Sequence, residues 1–524
     1  MISTTILNNL ADMTVGATPP PLSVKPGPPL TAWFNQAQNY RKWWRWYSGE
    51  ELHRVDGNAR TSTGEPAYVF PLRINPFKWI ASKHVSALFG DVPDQADCLV
   101  KVSFLNKDGI KDDACEHAAR VINTIWEESN GREIQLEAAT VSQFLGGCYF
   151  FPRYEPTNPR LSYGLRFQMV LPDFVVPIFS PADYWSLEEV WMMYFITVDE
   201  AKSRYGVDVQ GVGGKVIYAE HWTKDIYEIQ IGGQVPTMRV GDVEMVMSQP
   251  NPFGFVPVVY IPHPPRVGTY YGTGHVDDVS GLIEELNRRV SDIGDFIDEV
   301  SHRLLVMRNV NAKVSEQKIT NRYSSINIGS GSAIAAGKGE PEVYQLTMDA
   351  TGTAQHDFIR LLLDMIDRSA NLSGVAHGMD EGSQRSGVTL ATRMWPLAAH
   401  AKDERTMWTT GLRELHKMAL RMLVHIQKVS AFNAKVTQEH VDLKPQIGWN
   451  SMLPLDRDAL VNEMVQRFSM NLVSREQAIR EMHDGSDISE EIARIASDME
   501  MDKQNEIDLA KASHPPTPPS SAQK

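Results

Sequence analysis

The sequence predicts an α+β protein of several domains, and three observations carry that prediction. Residues 31–149 space their apolar side chains at helical intervals. From about 140 to 265 the pattern changes to alternating or continuous apolar runs, separated by Gly and Pro clusters, as strands require. From Val279 onward, long helical seams dominate. A chain of 524 residues has room for roughly two to four domains with cores of their own. Apolar residues at 42% and charged residues at 22% are the composition of a folded chain.

In order along the chain, residues 1–30 read as a flexible arm because 17–30 (ATPPPLSVKPGPPL) is Pro-rich without periodicity. The run NYRKWWRWYSGEEL follows, with Trp43, Trp44 and Trp46 among Arg41, Lys42 and Arg45. Aromatics interleaved with bases suit stacking on single-stranded nucleic acid. The favoured reading is plainer: Trp43, Trp46 and Tyr47 form one buried helix stripe with the bases outside. Further helices are expected over 75–89 and near 114–129. VVPIFS, VWMMYFITV, VIYAEHWT, IYEIQI and VPVVYIP read as strands, and their short connections make the sheet antiparallel.

After the turn YYGTGH come Val279, Ile283, Leu286, Val290, Ile293, Ile297, Val300 and Leu304, with spacings alternating between 4 and 3. Such a seam packs on other helices. The remaining faces carry Asp277, Asp278, Glu284, Glu285, Asp292, Asp295, Asp298 and Glu299 against Arg288, Arg289 and Arg303. Glu284–Arg288 and Glu285–Arg289 are expected i,i+4 pairs. Acid in the last two turns opposes the helix macrodipole. In an isolated helix it reads as a solvated face, and its functional reading is a wall that repels phosphate. LLVM, SINIG, SAIAAG and VYQLTM suggest small strands within 304–353.

Phe358, Leu361, Leu362, Met365, Ile366 and Leu372 mark a second amphipathic helix, and GVAHGMDEGSQRSG is a Gly-rich loop. A very long helix then runs to about 429, with a kink expected at Pro396. Val441–Trp449 looks like a strand. Residues 455–511 look helical and hold 14 acids against 7 bases, and 512–524 read as a disordered tail.

Composition and motifs exclude several functions. Lys and Arg number 51 against 65 Asp and Glu, a net charge of −14. A protein gripping nucleic acid over a broad basic face needs the opposite balance, but one that lets nucleic acid slide past does not. Cys98, Cys115 and Cys148 stand far apart without a CxxC, which fits a reducing compartment and neither a disulfide framework nor a zinc site. No apolar run approaches membrane-spanning length, so no membrane partner is expected. The first residues, MISTTILNNLADMTVG, lack the basic and apolar regions of a secretory signal.

GSGSAIAAGKG has five residues between Gly331 and Gly337 where a phosphate loop needs four, and Gly339 stands where Ser or Thr is required. A turn is the better reading. His377, Asp380 and Glu381 offer a metal only one imidazole. No metal, cofactor or catalytic residue is therefore expected.

Several stretches together resemble the portal proteins of tailed bacteriophages, the siphophage-type portal family. YYGTGHVDDVSGLIEELNRRVSDIGDFIDEVSHRLLVMRN is similar to the Gly-turn and first stem helix of that family. LSGVAHGMDEGSQRSGVTLATRMWPLAAHAKDERTMW resembles its tunnel loop and long kinked helix. IGWNSMLPLDRDALVNEMVQ, with the acidic helices after it, resembles its C-terminal crown, and WWRWYSGE and NPFKWIASKHVSALFGDVP resemble its N-terminal helices.

The resemblance implies a portal fold: a mixed α/β wing (31–276), a first stem helix (277–303), a small α/β clip (304–353) and a second stem helix (354–373). A tunnel loop (374–386), a long kinked helix returning to the wing (387–454) and an α-helical crown (455–511) follow. It implies a homo-oligomeric ring, usually of twelve subunits, in the virion at one capsid vertex and assembled in the host cytoplasm. Double-stranded DNA passes through the ring in packaging and ejection.

The implied partners are the terminase large subunit, the major capsid protein, scaffold and a head–tail adaptor. His377, Asp380, Glu381, Gln384 and Arg385 would face DNA from the tunnel loop. Glu284, Glu285, Asp292, Asp295, Asp298 and Glu299 would line the tunnel. The rival reading is a metal-dependent nucleic-acid-processing enzyme with Asp380 and Glu381 as ligands.

Overall fold

A computed structural model describes residues 28–50, 73–92, 96–156, 158–180, 186–211, 213–240, 243–264, 270–301, 304–308, 333–336, 342–346, 353–378, 392–429, 432, 434–452, 457–470 and 472–474, with scattered positions from 478 to 503. The architecture is mixed α+β. The chain divides into two compact units, Met1–Leu453 and Pro454–Lys524.

In the first unit, local chemistry sets the helix ends. Pro76–Phe89 starts with Asn75, whose side chain accepts from the Phe77 amide at 3.2 Å, with Pro at the first helical position. Asp112 caps Asp113–Glu128 by accepting from Cys115 N at 2.9 Å. The helices Pro28–Ser48 and Gly131–Leu145 complete the N-terminal set.

The strand-rich region is antiparallel, as the short connections require. Strands β4 (Val175–Phe179), β5 (Leu187–Thr197), β6 (Lys215–Thr223), β7 (Ile226–Ile231) and β10 (Ser248–Pro250) form one sheet in the order β10-β7-β6-β5-β4. A second sheet joins β2 (Gly147–Tyr154) to β3 (Leu165–Val170) and β11 (Val259–Pro262). One strand had no sequence signal: β1 (Lys101–Leu105) lies inside the mainly helical region and pairs antiparallel with β15 (Lys444–Gly448). That pairing carries the chain after the long helix back onto the N-terminal part. In the 304–353 region, β12 (Leu304–Arg308) pairs parallel with β13 (Ala333–Ala336) and antiparallel with β14 (Glu342–Leu346). SINIG, the turn part of GSGSAIAAGKG and the 512–524 tail lie outside the described residues, as does the arm before Pro28.

Two cores organise the unit. One gathers Trp126, Phe150, Phe167, Trp408, Leu412 and Leu415 between the helices and the β2–β3–β11 sheet. The other joins Tyr40, Trp43, Trp46, Ile80, Ile283 and Ile366. Trp43 and Trp46 are buried, and Tyr47 stacks on Phe144 with ring centroids 4.1 Å apart, so the tryptophan run is a core stripe and no stacking platform.

One expectation is corrected: Leu304, the last residue of the sequence seam, begins strand β12 and is not in the helix, which ends at Ser301. Near Pro396 the helical run is interrupted: Thr392 and Arg393 are helical, Met394 is a turn, and the helix resumes at Trp395 with Pro396 at its second position, where the missing N–H needs no partner. In the second unit, Arg457–Ser469 is helical and exposes Val461, Val465 and Phe468.

Candidate functional site

The seam of the His275–Ser301 helix is real where side chains are described. Val276, Val279, Ile283 and Leu286 are fully buried, each worth about 2 kcal/mol of apolar transfer, and Leu362 and Ile366 of the Thr353–Ser369 helix join the same core. Polar side chains that the apolar pattern ignores fix the first half of the helix. Trp43 Nε1 donates to Asp277 Oδ1 at 2.8 Å. Asn287 is buried and binds both backbone groups of Ile74, accepting from its N–H at 2.6 Å and donating to its C=O at 3.0 Å. Gly272 and Gly274 precede the helix because a Cβ at either would run into backbone: carbonyls of Gly146 and His263 at Gly272, that of Phe144 at Gly274.

The acids of this helix are less free than their number suggests. Glu285 Oε1 accepts from Arg289 Nε at 2.7 Å, and Arg289 also lies 3.5 Å from Asp292. Arg288 approaches Glu285 at 3.9 Å, so the expected Glu284–Arg288 pair is replaced by an i,i+3 contact and Glu284 points exposed into solvent. Between Glu284 and Asp292, three acids meet two arginines. Asp295, Asp298 and Glu299 occupy the last two turns, where no base stands; their side chains lie outside the described residues.

At the Gly-rich loop, only the base is described. Gly374–His377 is a single 3-10 turn, and His377 Nε2 lies 3.1 Å from Asp367 on the Thr353–Ser369 helix, its ring edge-on to Trp79. His377 is thus anchored at the root of the loop. Asp380, Glu381, Gln384 and Arg385 lie outside the described residues.

Histidines that look scattered in the sequence converge where the seam helix begins. His84 comes from the Pro76–Phe89 helix, His263 follows β11, and His275 opens the seam helix. His400 and Glu404 stand one turn apart on Trp395–Val429. Ring centroids are 4.3 Å apart for His84–His275, 4.9 Å for His84–His400 and 5.3 Å for His275–His400.

His84 Nε2 is 2.7 Å from the Ala370 carbonyl oxygen, an acceptor only, so the proton sits there and Nδ1 is left unprotonated with no partner. His275 Nε2 is likewise buried without a partner. Glu404, 1% exposed, is held by Gln143 Nε2 at 3.2 and 3.1 Å and by His263 Nε2 at 3.0 Å; His400 Nε2 stands 2.9 Å from Oε1. Burial drives the pKa of His84 down to about 4 and that of His275 well below the usual imidazole range, with neighbouring imidazoles adding to both. Burial alone would raise that of Glu404, but hydrogen bonds from His263 and His400 outweigh it and hold the carboxyl well below the ordinary range. Only the i,i+4 spacing of His400 and Glu404 was visible in the sequence.

Among the described residues no helix is long and apolar enough to cross a membrane. No curated protein matches the chain. A family model described as phage portal protein, SPP1 Gp6-like, matches residues 30–505, which includes the seam helix, the anchored loop base and the long helix that returns to β1. The match extends over nearly the whole sequence and gives the enzyme reading no support: the chain belongs to the SPP1 Gp6-like family of phage portal proteins.

Proposed function

We propose that the chain is the subunit of a ring, of twelve copies as is usual in the family, set at one capsid vertex of the virion after assembly in the host cytoplasm. Double-stranded DNA passes through the ring during packaging and ejection, and the chain itself performs no covalent chemistry. Residues 31–276 with part of 387–454 serve as wing, 277–303 and 354–373 as stem, 304–353 as clip, 374–386 as tunnel loop and 455–511 as crown. The clip docks the terminase large subunit. Major capsid protein, scaffold and head–tail adaptor are the other partners.

One observation carries the ring. The Thr353–Ser369 helix has two apolar stripes: Leu362 and Ile366 are buried within the chain, while Phe358, Leu361 and Met365 are exposed at i, i+3 and i+7. A stripe of that size on a helix already packed on one side fits burial against the next subunit through a heterologous, ring-closing contact. Repeated around a ring, Glu284 and the acids of the last two turns of the first stem helix make a wall that repels phosphate and keeps the duplex mobile.

The test is negative-stain electron microscopy and solution mass of the purified chain. Rings with a central hole, near about twelve times the 58.8 kDa chain, are expected. Leu361→Glu should abolish rings while leaving circular dichroism and the melting temperature of the subunit unchanged. A compact dimer with metal-dependent nuclease activity that Asp380→Ala abolishes would overturn the reading.

A further inference from the structure

We propose that His84, His275, His400 and Glu404 bind one divalent transition-metal ion of the zinc class, which fastens the first stem helix to the two helices beneath it. The proposal goes beyond the portal reading and does not depend on the ring. One donor atom from each of the four residues lies within 4.8 Å of the others. Three imidazoles and a carboxylate are a common donor set for zinc.

The hydrogen-bond pattern around the cluster favours a cation. His84 gives its Nε2 proton to a backbone carbonyl and keeps an Nδ1 lone pair without a donor, the second-shell arrangement that orients a metal-bound histidine. His275 Nε2, also buried, has no partner either. Glu404 is steered by Gln143 and His263, neither of which belongs to the four.

His84 Nδ1 and His275 Nε2 face the cluster without a hydrogen-bond partner, and a cation would take up both, while His400 and Glu404 would exchange their mutual 2.9 Å contact for bonds to the ion. Tetrahedral zinc with bonds of about 2.0–2.1 Å sets its ligand atoms about 3.4 Å apart, so the ion would draw the widest pair together by about 1.4 Å. Side-chain rotations can supply that.

The consequence is mechanical. His84 lies on Pro76–Phe89, His275 is the first residue of the stem helix, and His400 and Glu404 belong to the long Trp395–Val429 helix. One ion would join three elements at the root of the stem.

The full-length chain, purified without a histidine tag and stripped with a chelator, is titrated with Co2+ and then Zn2+. The expected result is one Co2+ per chain, with the intense visible absorption of four-coordinate cobalt, displaced by one equivalent of Zn2+ that also raises the melting temperature. His400→Gln, at the least buried member of the cluster, should weaken Co2+ binding at least tenfold. His356→Gln, on the exposed side of the second stem helix, should leave it unchanged.

Absence of stoichiometric binding, a weak six-coordinate spectrum, or equal affinity in His400→Gln would each overturn the proposal. Should His400→Gln fail to fold, X-ray absorption of the zinc-loaded wild type decides. A shell of three nitrogens and one oxygen at about 2.0 Å supports the site, and a shell dominated by water refutes it.

Discussion

His416 makes the acid stability of the fold predictable. It is completely buried beside Trp126 and Phe167, and its Nε2 accepts from Trp126 Nε1 at 3.0 Å. Burial pushes its pKa down to about 3. In the unfolded chain the same imidazole titrates near ~6.5, so between those two values the unfolded state binds the extra proton and stability falls as pH falls. Above pH ~6.5 both states are neutral and the group contributes nothing to the slope; at pH 5 the unfolded state gains about 2 kcal/mol. His416→Gln preserves an acceptor for Trp126 and cannot titrate. Urea unfolding of both proteins at pH 7.5 and pH 5 should show wild type losing about 2 kcal/mol more than the variant. Equal losses would mean that His416 is already protonated in the folded protein, or that water reaches it, and the burial argument would fail.

Three further perturbations probe the anchors of the His275–Ser301 helix and a buried ion pair on β6. Trp43→Phe keeps the ring in the core but removes the bond to Asp277, and should cost about 1.5 kcal/mol in thermal or urea unfolding. Gly272→Ala places a methyl against the carbonyls of Gly146 and His263, so it should destabilise by about 3 kcal/mol and lower soluble yield, whereas Gly281→Ala, open on all sides, should stay within about 0.5 kcal/mol of wild type. Glu220 is buried and accepts from Arg153 at 2.8 Å and Tyr218 at 3.1 Å; Glu220→Ala leaves the Arg153 guanidinium without its carboxylate and should cost about 3 kcal/mol in urea unfolding.

What the sequence showed and what it hid follow from how each contact is encoded. The seam at Val279, Ile283 and Leu286 is periodic, and periodicity survives without knowledge of the partner. The antiparallel sheet was legible because β4 to β7 are neighbours in sequence and in space. By contrast, β1 finds its partner β15 more than three hundred residues later, and no local pattern encodes that pairing. The Thr353–Ser369 helix looked like one apolar face because Phe358, Leu361, Leu362 and Met365 follow one another closely, yet the chain buries Leu362 and Ile366 and leaves Phe358, Leu361 and Met365 exposed. The histidine cluster was least legible. His84, His263, His275 and His400 carry no shared spacing, and only folding puts their rings in contact.

The His275–Ser301 helix separates attachment from charge along its length. Its first half is held by Trp43 on Asp277, by Asn287 on the Ile74 backbone and by the glycine approach ahead of His275. Asp277 and Asp278 stand in the first turn, where the positive end of the macrodipole stabilises acid, so their charge serves the helix itself. Farther along, Arg289 takes up Glu285 and Asp292 and lies over the Phe358 ring at 5.8 Å, which ties these charges to the Thr353–Ser369 helix. A count of eight acids along the seam therefore overstates the field at the root. The uncompensated surplus belongs to the far end, where the sequence places Asp295, Asp298 and Glu299 without a base in the last turn. Uncompensated charge must stand away from the points that anchor a helix, because buried anchors must be neutral or paired to be stable. This helix divides its residues in that way: its attachments lie in the first half, and the acids that the dipole disfavours stand in the last two turns.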